Sequence, residues 1–256
     1  MADPVLRTES LRKAFGGLVA TDALSLDIAR NEIHAVIGPN GAGKTTLVAQ
    51  LSGALKPDSG RILFDGADIT ALPVHARTRL GLARSFQITS VLASFSALDN
   101  VALSVQAHQG HSFRFWAPAR AQAALRDPAM AVLEQVGLAG RADMAAGALS
   151  HGEQRQLEIA MALAGEPTLL LLDEPMAGMG AEESARMTEF LRGLRGRRTI
   201  LLVEHDMNAV FALADRITVL VYGRAIASGS PDEIRANVEV RQAYLGDEAT
   251  AAAGGP

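Results

Sequence analysis

The chain has 256 residues, 48% of them hydrophobic and 20% charged. That excludes wholly disordered, collagen-like and coiled-coil classes and suffices for one large α/β domain or two small ones. Its 24 basic and 28 acidic residues give a formal net charge of −4, and aromatics are only 4%, so general nucleic-acid binding is disfavoured. With no cysteine, neither a disulfide frame nor a thiolate zinc site is possible.

The apolar runs are strand-length rather than the roughly 18 or more residues that a spanning helix needs. The N-terminal stretch Met1 to Glu9 lacks a basic region followed by an apolar one, so no signal peptide is read there and a cytoplasmic location is expected. From Val5 to about Ala29, β-type segments alternate around the Phe15-Gly16-Gly17 turn. A further strand, Arg61 to Phe64, follows the turn at Pro57-Asp58-Ser59-Gly60, and together these predict an antiparallel β patch. Between them lie a buried-strand run, Ile33 to Ile37, a glycine-rich turn, and a helix from Lys44 that stops at Gly53.

From about Ser90 to Ala164 the signals are mostly helical, with Asp127 as an expected N-cap and Pro128 as the first helical residue. From Leu169 onward strands and helices alternate. The strands are Leu169 to Leu172, Thr199 to Val203 and Ile217 to Tyr222; the helices carry Met187, Phe190, Leu191 and Leu194, then Met207, Val210, Phe211 and Ala214. This is the grammar of a parallel sheet covered on both faces. The capping box Ser230-Pro231-Asp232-Glu233 predicts a last helix to about Leu245, and Ala249 to Pro256 is expected to be a disordered tail.

Gly38-Pro39-Asn40-Gly41-Ala42-Gly43-Lys44-Thr45 matches the G-x-x-x-x-G-K-[ST] phosphate loop in full and sits between a predicted strand and a predicted helix, its required context. Backbone N–H groups there can face one anion, Lys44 adds a point charge, and the Thr45 hydroxyl suits Mg²⁺. Leu169 to Leu172 runs into Asp173-Glu174-Pro175. A carboxylate at the end of a parallel strand can hold the Mg²⁺ shell, and Glu174 next to it can act as general base or position the attacking water. His205 follows the strand Thr199 to Val203, and a γ-phosphate contact is expected of it over an ordinary surface histidine. Leu149-Ser150-His151-Gly152-Glu153 opens a helix with Leu157, Ala160, Met161 and Ala164 on one face. Ser150 and Glu153 form a capping box there, and the same N-terminus is a second anion site in a chain whose phosphate loop already holds the phosphates.

The motifs at Gly38 to Thr45, Gln87, Leu149 to Glu153, Asp173-Glu174 and His205, in that order over almost the whole chain, resemble the nucleotide-binding subunit of ABC transporters. The resemblance implies a P-loop NTPase core with a parallel sheet, an N-terminal antiparallel β subdomain and an inserted helical subdomain at about 90–164, all within one ATPase domain at 1–248. It implies ATP and Mg²⁺ as ligands. The nucleotide-binding set becomes Phe15 stacked on adenine, Gly38 to Lys44, Thr45 with Thr46, Gln87, and, across a dimer, Ser150, Gly152 and Glu153. Thr45, Gln87 and Asp173 serve the metal; Lys44, Glu174 and the switch histidine His205 serve catalysis.

The implied partners are a second ATPase subunit, identical or paralogous, two integral-membrane permease subunits that hold the chain on the inner face of the membrane, and indirectly a solute-binding protein. Phe15 to Ala20, Val203 to Met207 and Gly229 to Asn237 are most similar to branched-chain amino-acid importers; urea or amide importers and lipopolysaccharide-export ATPases share much of the pattern. A soluble ABC protein working on nucleic acid or ribosomes is the rival from another class. Two departures stand out: His151 replaces the usual signature glycine, and Gly180 replaces the aspartate usual after Ala177-Gly178-Met179.

His108 and His111 lack an evident third ligand, the aromatic segment His111 to Trp116 is read first as core, and Arg192, Arg195, Arg197 and Arg198 are read as a solvated helix end.

Overall fold

The structure is a computed structural model that describes residues 3–85, 91–109 and 122–243. The chain forms two compact units, one from Met1–Arg77 with Arg195–Pro256 and the other from Thr78–Leu194.

In the first unit β1 (Leu6–Phe15) and β2 (Leu18–Ile28) form a hairpin around Gly16-Gly17, pairing antiparallel from Leu6↔Ile28 to Phe15↔Leu18. Next come β3 (Ile33–Ile37), α1 (Lys44–Ser52), β4 (Ser59–Phe64) and β5 (Ala67–Asp68). Strands β2-β1-β4-β5 make the antiparallel sheet expected at the N-terminus. A short helix, α2 (Val74–Arg79), with no signature in the sequence pattern, precedes the passage into the second unit.

That unit begins with β6 (Leu82–Arg84), which was also not foreseen, and continues through α3 (Ala97–Gln109), α4 (Ala123–Gln135) and α5 (His151–Leu163) to β7 (Leu169–Asp173) and α6 (Ala181–Leu194). β6 and β7 are parallel, from Leu82↔Leu169 to Arg84↔Leu171. Helices dominate the described residues between 91 and 164, as expected, but α4 does not start at Asp127. Its N-cap is Gln122, and Pro128 lies inside it. Leu125, Ala129 and Leu133 are buried at helical spacing, whereas Ala124, whose carbonyl the missing Pro128 N–H leaves unbonded in the ladder, is exposed to water. Apolar periodicity therefore outweighs proline as a start signal.

Back in the first unit, β8 (Thr199–Val203), α7 (Met207–Leu213), β9 (Arg216–Val221), β10 (Arg224–Gly229) and α8 (Pro231–Ala236) follow. Here β10-β9-β3-β8 are neighbours, with β3 parallel to both β8 and β9 and the unforeseen β10 antiparallel at the edge. The strands β3, β7 and β8 are buried at every position, as runs without alternation require. Ala35, Ile37, Val210, Ile217, Val219, Ile234 and Val240 share one apolar cluster. Buried His34 ties β3 to β9 through Nε2 to the Thr218 hydroxyl at 2.8 Å, with Nδ1 3.0 Å from Glu32.

The last helix is shorter than expected. The Ser230–Glu233 capping box forms, but α8 ends at Asn237, which accepts the Val240 N–H at 3.1 Å and starts a separate helical stretch over 238–243. The expected tail at 249–256 lies outside the described residues, as do Gln87 and His111 to Trp116.

Candidate functional site

Burial of β3 and of Leu47, Val48 and Leu51 on α1 fixes the two ends of the loop between them. The glycines then decide its path. A Cβ at Gly43 (φ +100°) would lie 2.1 Å from the Ala20 carbonyl oxygen, and one at Gly38 would lie 2.1 Å from that of Leu220, so both positions admit only a bare backbone. The loop is pinned from behind where the Gly223 N–H donates to the Ala42 carbonyl at 3.0 Å, and the Ala42 N–H to that of Pro39 at 3.2 Å. Lys44 is buried and its Nζ donates to the Gly38 and Pro39 carbonyls at 2.6 and 3.0 Å. Gly43 has no side chain to cap α1 and no acid sits in the first turn, so the helix N-terminus faces the loop with its positive end uncompensated. Thr45 is exposed and Thr46 half-buried at that end; Asn40 and Gly41 form the open rim.

The other end of α1 is held by a residue that the sequence did not single out. Arg77 is fully buried and donates to the Gln50 and Leu51 carbonyls at 2.7 Å each, to Leu72 at 2.9 Å and to Thr70 at 3.0 Å. Burial pulls its guanidinium down to about 10. A cation against the last carbonyls of the phosphate-loop helix complements the helix dipole. An isolated arginine in a short polar segment carries no signal for such a role.

Because β3 and β8 are parallel with Val36 opposite Val203, Gly38 and His205 follow at matching places beyond the carboxyl ends of adjacent strands. The His205 side chain is 65% exposed, with Nδ1 3.8 Å from the buried Glu204 carboxylate, which also accepts the His205 N–H at 3.1 Å. Asp206 caps α7 through the Asn208 and Ala209 N–H groups, fixing the loop on its far side. Phe15, at the tip of the β1–β2 hairpin, is 50% exposed, and Lys13 Nζ lies 5.7 Å from its ring centre.

In the second unit Asp173 ends β7 with its carboxylate buried, and Oδ2 accepts from Arg84 Nη2 at 3.0 Å. Arg84 closes β6, the strand that leads toward Gln87. Glu174 follows in a left-handed conformation, φ +50°, uncommon for a residue with a side chain and concentrated at functional turns. Asp173, Thr45 and a side-chain amide are hard oxygen donors of the kind Mg²⁺ takes, and Mg²⁺ needs only one or two carboxylates beside substrate phosphates. Among the described residues no group of three His, Cys, Asp or Glu forms a metal cage of its own.

Ser150 caps α5 as expected. Its Oγ accepts the Glu153 N–H at 3.2 Å, and the Glu153 carboxylate accepts the Ser150 N–H at 2.9 Å. The Ser150 N–H, with Arg141 adding to it against some desolvation, holds the Glu153 carboxyl below its ordinary value. Gly152 is buried against Glu183, a residue the sequence did not flag. The first departure packs against the turn after Glu174-Pro175: His151 Nε2 lies 3.4 Å from the Ala177 carbonyl, and a Cβ at Gly178 would come within 3.3 Å of the same ring atom.

The ABC transporter family model matches residues 21–177, and a model described as branched-chain amino acid ATP-binding cassette transporter matches 226–250. The chain is 37% identical to the high-affinity branched-chain amino acid transport ATP-binding protein BraF of Pseudomonas aeruginosa, over 96% of this chain and 100% of that protein. It is 39% identical to LivG of Escherichia coli K12, a protein of the same description, with the same coverage. Among solved structures, the ADP conformation of MJ1267, an ATP-binding cassette of an ABC transporter, superposes with a TM-score of 0.83 at 28% identity, covering 96% of this chain and 100% of that one.

Proposed function

The chain belongs to the ABC transporter ATP-binding family, and from that premise we propose that it hydrolyses ATP to power the import of branched-chain amino acids. The observation that carries the ATPase reading is the phosphate loop, a complete motif whose glycines are enforced by backbone contacts and whose lysine is held within it. The solute class rests on the match at residues 226–250 and on the similarity to BraF and LivG over almost the whole chain.

In this reading residues 1–248 act as one ATPase domain. The N–H groups of Gly38 to Gly43 and the Lys44 ammonium bind the phosphates, Thr46 supports the loop end, and Phe15 stacks on adenine. Thr45, Gln87 and Asp173 hold Mg²⁺, which when bound neutralises phosphate charge. Asp173 is held in orientation by Arg84. Glu174 accepts a proton from, or orients, the attacking water, and His205 donates to the γ-phosphate. Ser150, Gly152 and Glu153 present the second anion-binding helix to the nucleotide of a partner ATPase subunit, identical or paralogous. Two permease subunits hold the pair at the inner face of the membrane and a solute-binding protein delivers the cargo. Among the described residues no helix is long and apolar enough to cross a membrane.

Glu174→Gln tests the mechanism. With MgATP this variant accumulates as a dimer on sizing columns while phosphate release falls by about 10²-fold or more; release at the parent rate removes Glu174 from its role. For the solute, the ATPase rate of the complex with its permeases and binding protein in proteoliposomes rises with leucine, isoleucine or valine. Stimulation only by another solute overturns the branched-chain assignment.

A further inference from the structure

The Ser150 hydroxyl has a single proton, and it is already given away. While Oγ accepts from the Glu153 N–H as the cap of α5, it donates to Glu183 Oε1 at 3.2 Å. The same carboxylate lies over Gly152, where a Cβ would come within 2.9 Å of Glu183 Cδ and Oε1, and its Oε2 accepts the Gly180 N–H at 3.4 Å. Glu183 comes from the first turn of α6. Of its acidic neighbours, Glu182 is paired with Arg186 and Glu153 with Arg141. A carboxylate thus lies against Ser150, the cap of α5, and Gly152 in its first turn, where a helix N-terminus favours an anion.

We propose that Glu183 is an internal stand-in for phosphate. It fills the anion seat of Ser150 and Gly152 in the separate subunit and has to withdraw before the ATP of a partner subunit can enter there. The proposal rests on the reading that Ser150 and Gly152 meet the partner's nucleotide. A carboxylate and a γ-phosphate cannot share one hydroxyl proton, and two anions at this spacing repel. The gate also accounts for Gly180, which stands where the resemblance leads one to expect aspartate. An aspartate there would set a second carboxylate beside Glu183, whereas the glycine N–H helps hold it. Gly178, at φ +77°, and Gly180 flank the connection from which Glu183 would swing.

The test uses the full chain carrying Glu174→Gln, titrated with MgATP while dimer formation is followed by analytical ultracentrifugation. Adding Glu183→Gln removes the charge but keeps an acceptor; adding Glu183→Ala removes both. Both variants should dimerise at lower ATP, the alanine variant by about tenfold, with unchanged affinity of the monomer for a fluorescent ATP analogue. A midpoint that stays the same or rises overturns the gate. If Glu174→Gln alone gives no ATP-driven dimer, the reading of Ser150 and Gly152 as a seat for the partner's nucleotide fails, and the gate falls with it. The two failures are distinguishable because the first leaves the parent dimer intact.

Discussion

Gly41 and Gly43 both stand at positive φ in the phosphate loop, but only one of them is crowded. A Cβ at Gly41 (φ +80°) has nothing within 4 Å, so Gly41→Ala should cost only the backbone strain, about 1 kcal/mol, and leave ATP binding measurable. Gly43→Ala drives a methyl into the Ala20 carbonyl 2.1 Å away; ATP affinity should fall by at least about tenfold, as an ATP titration of the folded variant will report. The phosphate-loop motif announced Gly43 but not the carbonyl that makes it indispensable, and Gly41 falls at one of the motif's unspecified positions. His151 and Gly180 show the opposite limit. The sequence marked them as departures, and only the structure joined His151 to Gly178 and Gly180 to Glu183. Glu153 adds a pH signature. Its carboxyl sits below the ordinary 4.5 in the folded protein, so its contribution to stability is present above that pH and is lost as pH falls through the lowered value. The margin by which the parent exceeds Glu153→Gln in urea midpoint at pH 7 should shrink progressively below pH 4.5.

At the scale of elements, α1 depends on both its ends. Arg77→Ala removes the donor from four carbonyls, two of them in buried bonds, and leaves a void beside Gly53, and should lower stability by about 3 kcal/mol in chemical denaturation. Its cost should appear in ATP affinity as well, since the same helix carries Lys44 and Thr45. In α4, Pro128 removes a donor from the helix interior, but the affected turn faces water. Pro128→Ala should therefore raise the urea midpoint by the equivalent of about 1 kcal/mol rather than disrupt the helix. The buried strands and amphipathic helices were legible because their apolar period is local. The weaker elements, α2, β6 and β10, are short and half-exposed, and they exist because neighbouring strands and helices complete them. For the same reason the expected run of the last helix to Leu245 gave way at Asn237, whose side chain bonds the backbone and starts a new turn.

The phosphate loop lies in one unit and the capped N-terminus of α5, with Ser150 and Gly152, in the other. If the two serve different nucleotides of a head-to-tail pair, subunits carrying Lys44→Ala and subunits carrying Ser150→Ala, each inactive alone, should recover phosphate release when mixed. About half of randomly assembled dimers would hold one intact composite site; no recovery would place both motifs on one subunit's nucleotide or require a paralogous partner. The sequence by itself determined the class of fold and the nucleotide chemistry and singled out candidate residues for it, because phosphate binding needs particular residue types at fixed short spacings and buried strands need unbroken apolar runs. Only the tertiary structure decided what holds those residues in place: Arg77 on the end of α1, Arg84 on Asp173, the Ala20 carbonyl against Gly43, and Glu183 on Ser150. These are contacts between residues distant along the chain, set by packing and the direction of single side chains, and they leave no periodicity for a sequence to show.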